Sequence, residues 1–303
     1  MEASTQVALN GLLWIALAPA ASVVAVGLLA TRLPDRLRPA VAGAALLLGL
    51  LVAWLGLAGL PKPAADAQAW VPLGALAAGA LALAAERLLP ARLRTPAVAL
   101  VGLAALSFFG FKLLAPLAGV WIEGQTLALV SQKEWAVDAL ALAFLSWLGV
   151  THAARRVAAP VVLGPLALAL VGVALSAALT GSASMAERVG AAATATATAG
   201  FLGWRFPKAA PGVAAGAVAV SVALFASYAH FYVETPRPGL SLIVLAPLGV
   251  LAALNIQRTL LAVVVALAAT AVPVGAGVWL AWEADAAKQA AAGADAGDDS
   301  GYY

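Results

Sequence analysis

The 303-residue sequence contains no cysteine and only two histidines. The first absence excludes a disulfide framework, a thiolate metal site and a cysteine nucleophile. The second leaves His152 and His230, which the topology derived below puts at opposite membrane faces. A haem held by two histidines across a bundle is therefore excluded within this chain. Charge is scarce: Asp, Glu, Lys and Arg make up 10% of the residues, against about 25% in a soluble domain. No apolar run carries an acidic residue near its middle. Proton or sodium coupling needs an intramembrane group that changes charge or coordination, so that class is disfavoured. HExxH, P-loop, GxSxG and strand-associated GxGxxG motifs are missing, which excludes a metalloprotease and an ATP-driven motor. No serine stands in a context that suggests a partner base.

What is abundant is apolar. Hydrophobic residues make up 64% of the chain and the mean hydropathy is +0.99. The excess runs along the whole sequence, as in a multi-spanning membrane protein. No alternating pattern of the kind a β-barrel strand needs is present. With about 20 apolar residues per crossing, ten spans are predicted at 8–30, 40–60, 71–88, 96–119, 137–154, 160–180, 187–204, 211–231, 239–256 and 259–282. The N-terminus lacks the basic n-region of a signal peptide, so the first run reads as a retained span. The ninth span is short, and its separation from the tenth at Asn255–Arg258 decides which side the C-terminus takes. The Ala/Gly/Asp-rich segment 283–303 reads as a polar, acidic, mobile tail.

The charges orient the spans. The odd-numbered connections carry Arg32, Arg36, Arg38, Arg87, Arg92, Arg94, Arg155, Arg156, Arg205, Lys208 and Arg258, eleven cations against two acids. The other side carries six cations and twelve acids. The positive-inside rule places the odd connections in the cytoplasm and both termini outside. Residues 33–42, LPDRLRPAVA, are echoed by residues 89–99, LPARLRTPAVA. In both, an arginine turn feeds a proline that opens the next helix, where its missing N–H has no intrahelical partner to lose. The repeating unit would be a two-helix hairpin of about 55–65 residues. A five-plus-five inverted repeat of the transporter type has less support.

Four places are candidate sites. The first is the helix near 187–204, where Gly190, Thr194 and Thr198 share one face and Thr196 and Gly200 another. Small residues let helices approach closely, and threonine hydroxyls can bond across a seam. This helix either lines a narrow polar path, with Ser182, Ser184, Glu187 and Arg188 at its outer mouth, or is a close-packed central helix whose threonines bond their own carbonyls. The second is the outer cluster Tyr228, His230, Phe231, Tyr232, Glu234 and Arg237, a pocket or an aromatic belt. The third is the outer linker 120–136, bracketed by Trp121 and Trp135 and expected to form a short interfacial helix. The fourth is Lys112, which either snorkels outward or pairs with Glu123 or Asp138. Glu86 and Arg87 are expected to form an ion pair at the cytoplasmic boundary.

The expected fold is all-α: a polytopic integral membrane protein of about ten transmembrane helices arranged as hairpins, with membrane domain 1–282 and tail 283–303. The expected function is a non-enzymatic membrane subunit or scaffold, and the alternative is a transporter or facilitator of an uncharged or lipid-like solute beside the 180–204 helix. No catalytic residue, metal site or cofactor is predicted. Partners are membrane lipids and other membrane-protein subunits, not nucleic acid, because the arginine turns lack interleaved aromatics. The expected location is the cytoplasmic membrane of a prokaryote.

Overall fold

The computed structural model describes residues 11–63, 66–114 and 129–298, together with Leu9, Trp121–Ile122 and Gln125–Thr126. These residues are almost wholly helical. The exception is a two-residue antiparallel pairing in which Trp121 faces Thr126 and Ile122 faces Gln125. The short interfacial helix expected over 120–136 is thus replaced in part by this pairing, and in part by an early start to the next helix.

Among the described residues, ten helical segments follow in order, apart from the short 3-10 turn Pro207–Ala209: α1 (Leu12–Arg32), α2 (Arg38–Ala58), α3 (Ala67–Leu88), α4 (Ala91–Leu114), α5 (Leu129–Ala153), α6 (Ala159–Leu179), α7 (Ala183–Arg205), α8 (Gly212–Val233), α9 (Arg237–Ala253) and α10 (Thr259–Asp298). Among the described residues, seven of them are long and apolar enough to cross a membrane. The remaining three fall short of that standard, so the expectation of about ten spans is met on length and composition by seven. In α5, a helix over Leu129–Ala153, the side chains are described from Leu140 onward, and Leu140–Ala153 is apolar. In α7, Glu187, Arg188 and three threonines dilute the hydropathy. The third, α9, is short.

Close approaches fix the direction of each helix. Gly27 lies on Ala45 and Gly49 on Val23, so α1 and α2 run antiparallel. Gly43 against Leu83 and Gly79 against Leu47 make α2 and α3 antiparallel, and Gly74 against Leu224 and Gly79 against Ala217 do the same for α3 and α8. Trp70 at the start of α3 meets Phe108 and Phe109 near the end of α4. Trp147, late in α5, reaches Val98, early in α4. Gly200 on Leu163 and Gly203 on Ala159 oppose α6 and α7. By contrast, Gly190 on Ile15 and Gly27 on Leu202 make α1 and α7 parallel, and Gly164 on Leu267 and Gly172 on Val274 make α6 and α10 parallel. Ser146 bonding Val244 and Gly149 lying on Leu248 make α5 and α9 parallel. The direction therefore alternates along all ten helices. The arginine-bearing turns gather at one end of the bundle (the arginine end), and the turns bearing Asp66, Glu187 and Glu234 gather at the other (the acidic end).

The most enclosed helix is α8, with 89% of its apolar window buried, and not the threonine helix α7. Its alanine, valine and serine side chains are small enough to admit α3, α4, α5, α6 and α9 around it. Trp147 is 0% exposed. Its ring lies over Gly102 and Gly216, where no Cβ stands in the way, and its indole N–H donates to the Val98 carbonyl at 3.0 Å. The distribution of residues is that of a protein in lipid. Thr196, Thr270, Ser176 and Ser221 are buried while Leu100, Phe111, Phe201, Leu260 and Val272 are exposed. The exposed apolar side chains recur on α1, α4, α7 and α10, as expected of surfaces that meet lipid or other apolar partners.

The two echoed turns are alike in detail. Leu33 and Leu89 each end a helix in extended conformation. Arg38 donates to the Leu33 carbonyl at 2.9 Å, and Arg94, at the matching position, to the Leu89 carbonyl at 3.1 Å. An arginine five residues on thus satisfies a carbonyl that the helix end leaves free. The prolines differ: Pro39 opens α2, whereas α4 begins at Ala91 and encloses Pro96. The expected Glu86–Arg87 pair does not form. Adjacent helical residues point about 100° apart, so Glu86 takes Arg155 at 2.7 Å and Arg87 donates to the Arg36 carbonyl at 2.6 Å.

The short α9 changes winding midway: Arg237–Leu245 is α-helical and Ala246–Ala253 is a 3-10 helix. The tighter helix rises about 2.0 Å per residue instead of about 1.5 Å, which stretches the element from about 25 Å to about 30 Å. Leu254–Arg258 then turns the chain. α9 lies so close on α10 that a Cβ on Gly239 would sit 2.5 Å from the Gly277 carbonyl oxygen. The segment expected to be a mobile tail instead continues α10 without a break through Asp298. Its alanines favour helix, and Lys288 ties it to Glu234 at 3.1 Å.

Candidate functional site at the acidic end

Asp66 opens α3. Its carboxylate accepts the Gln68 backbone N–H at 2.9 Å, the N-cap arrangement that holds the first turn. That turn carries the Gln68 side chain inward, where it is 2% exposed. Arg188, in the second turn of α7, enters the same space. It donates to the Gln68 side-chain oxygen, stands 3.6 Å from the Asp66 carboxylate and lies over the Trp54 ring at 5.1 Å. Four helices thus meet at one polar point: α2 through Trp54, α3 through Asp66 and Gln68, α7 through Arg188, and α8 through the residues below. A cavity of about 20 Å³ lies there, lined on its apolar side by Leu50, Val71, Ala192 and Phe225, with room for about one water.

Two buried donors at this point have no acceptor, the Trp54 indole N–H and the Gln68 amide NH2. The amide orientation is set by Arg188: a cation must face the amide oxygen, and the NH2 is then turned away from it. Ser221 in the cavity wall spends its hydroxyl on the Ala217 carbonyl at 3.1 Å.

The predicted outer pocket divides. Tyr228 and Tyr232 are four residues apart on one face of α8 and stack at 4.5 Å with planes 10° apart. The Tyr232 hydroxyl donates to the Leu113 carbonyl at 2.8 Å. His230 is two residues along and points elsewhere. Its Nδ1 is 3.0 Å from the Thr235 carbonyl oxygen, and its ring meets Phe231 edge-on. Thr235 in turn bonds Thr180 at 3.0 Å. Glu234, at φ 59°, makes the left-handed turn that closes α8. His230 therefore belongs to a knot joining the α6–α7 and α8–α9 links, not to the tyrosine pair.

The threonine helix is spent on itself. Thr194 donates to the Gly190 carbonyl at 3.1 Å and Thr196 to the Ala192 carbonyl at 2.8 Å. Thr196 is 0% exposed, in the α6–α7 seam where Gly200 rests on Leu163. Thr198 and Ser182 are half-buried and Ser184 is exposed. The cavity reaches Ala192, but Thr194, Thr196 and Thr198 do not line it. Lys112 is half-buried with its ammonium 5.8 Å from the Phe108 ring centroid. Its expected partner Glu123 and the side chain of Asp138 lie outside the described residues.

Arg188 was legible as a residue of the mouth. Gln68, Asp66 and Trp54 were not. The available signal was positional: Asp66-Ala67-Gln68 and Arg188 occupy the starts of two helices that alternating threading puts at one end. No group of three or more His, Asp or Glu residues able to hold a metal occurs among the described residues. The chain matches no protein-family model, no curated protein and no solved structure.

Proposed function

We propose that this chain is a ten-pass, non-enzymatic integral membrane subunit, a close-packed bundle that takes its place among lipids and other membrane-protein subunits and does not conduct a solute along α7. The observation that carries this reading is Thr196, fully buried and bonded to its own helix at the place where a polar path would have to open. Alternating direction along ten helices supports ten crossings, including the three that are not among the seven long apolar helices. The 3-10 winding of α9 supports its crossing too, since it brings a 17-residue element to about the 30 Å of a bilayer core. Eleven cations at the arginine end against six elsewhere favour the cytoplasm for that end and the outer side for both termini. The membrane that fits this charge pattern is the cytoplasmic membrane of a prokaryote.

The absence of cysteine makes the test direct, because every labelled thiol is an introduced one. Single variants Arg92→Cys, Thr196→Cys and Asp285→Cys are probed with a membrane-impermeant maleimide on sealed and on inverted vesicles. Asp285→Cys is expected to react from the outer side, Arg92→Cys from the cytoplasmic side and Thr196→Cys from neither. Reaction at Thr196→Cys from both sides would replace the scaffold with a conduit. Reaction of Asp285→Cys from the cytoplasmic side would reverse the topology.

A further inference from the structure

We infer that the four-helix junction at the acidic end is a binding site for an oxyanion, phosphate or carboxylate, that seats one oxygen beside Arg188 and Trp54 in the cavity they line. The lining is one-sided. Arg188 has five N–H donors and no acceptor; it gives one to Gln68 and its ring-like face to Trp54. The Gln68 NH2 and the Trp54 N–H are both buried and both lack an acceptor. Side chains that are 2% and 4% exposed cannot borrow bulk water, and a buried unmet donor is costly. Arg188 and Trp54 both line the cavity and call for the same partner, an oxygen that accepts without donating, and the positive charge favours an anionic one; the Gln68 NH2 lies outside that lining. Water meets this need only in part, because it brings donors of its own to a donor-lined space.

Asp66 does not already fill the role. One of its oxygens is engaged by the Gln68 backbone N–H, and the other stands 3.6 Å from Arg188, beyond hydrogen-bond length. Its side chain is also 41% exposed, so it lies at the rim as a competitor for Arg188, not at the floor. The cavity volume of about 20 Å³ admits one oxygen, so the rest of the anion stays at the rim beside Arg188. The apolar floor of Leu50, Val71 and Phe225 keeps the local dielectric low and strengthens each of these bonds.

The test is thermal unfolding of the purified full chain in mild detergent, titrated with inorganic phosphate and, separately, acetate at ionic strength held constant with chloride. A ligand that binds the folded state raises Tm in a saturable way. The wild type is expected to show this rise. Arg188→Gln should move its midpoint to at least about ten-fold higher concentration, the loss of a charged hydrogen-bonding partner. Trp54→Phe should move it less and in the same direction. Asp66→Asn should move it the other way, since asparagine keeps the N-cap and removes the competing charge; a merely structural Arg188 would not produce that opposite shift. No saturable rise in the wild type, or one midpoint shared by all four proteins, overturns the site. If Arg188→Gln does not fold, unchanged midpoints in both Trp54→Phe and Asp66→Asn overturn it equally. Nanodiscs then identify the source. A Tm rise in phosphatidylglycerol over phosphatidylcholine that needs Arg188 assigns the oxygen to a lipid phosphate. A phosphate response undiminished in phosphatidylcholine assigns it to a free anion.

Discussion

Two tryptophans, both buried, sit towards opposite ends of this bundle, and they are treated differently. Trp147, towards the arginine end, is 0% exposed, lies over two glycines and gives its N–H to the Val98 carbonyl. Trp54, towards the acidic end, is 4% exposed, lies under Arg188 and gives its N–H to nothing. The same contrast holds for the cations around them. At the arginine end Arg38, Arg87 and Arg94 each satisfy a backbone carbonyl and Arg155 satisfies Glu86. At the acidic end Arg188 is paired to an amide whose own donors are left over. The arginine end leaves a buried donor over, the Arg38 Nε, on a guanidinium already engaged by the Leu33 carbonyl and Asp35, and holds the helices in register. The acidic end leaves over those of Trp54 and Gln68, and Trp54 lines a cavity.

The contrast breaks most sharply at Trp147. Trp147→Ala empties a site that Gly102 and Gly216 cannot collapse to fill, since both lie on rigid helices. The expected loss is about 3–5 kcal/mol of unfolding free energy, read from denaturant unfolding in detergent. A loss under about 1 kcal/mol would mean that the ring does not hold α4, α5 and α8 together. The milder pair sharpens the point. Trp147→Phe gives up a made hydrogen bond and part of the ring, for about 1–2 kcal/mol. Trp54→Phe gives up a donor that had no partner, so lost packing and relieved desolvation should cancel to within about 0.5 kcal/mol without added anion. Equal losses in the two variants would show that the ends are alike after all.

Which parts of this were legible in the sequence follows from the range of the interactions involved. Helix positions and the arginine turns rest on local runs, and the likeness of 33–42 to 89–99 extends to the bonds made by Arg38 and Arg94. The central place of α8 was not legible, because Gly212–Val233 is apolar on all sides, as are helices that face lipid. Only packing tells a buried valine from a lipid-facing one. The partners of Glu86 and Arg188 lie 69 and 120 residues away, where no spacing rule reaches. The tail segment 283–303 read as polar, acidic and mobile from its composition, whereas its alanines extend through Asp298 a helix already nucleated in α10.

A similarly small effect is expected at Thr196. Thr196 is buried, and in a soluble core the loss of a buried hydroxyl's partner would be costly. Here the hydroxyl shares a carbonyl, that of Ala192, which the helix itself already engages, so removing it orphans nothing. Thr196→Ala also deletes one methyl group from a seam of alanine and glycine. The two terms together should stay below about 1 kcal/mol, with any α7-dependent phenotype unchanged. The comparison that gives this number meaning is Thr196→Leu, which forces a large side chain into a fully buried position and should lose about 1–3 kcal/mol by overpacking. A seam that tolerates leucine as well as alanine would be loose enough to part, and a path along α7 would then have the room it is denied here.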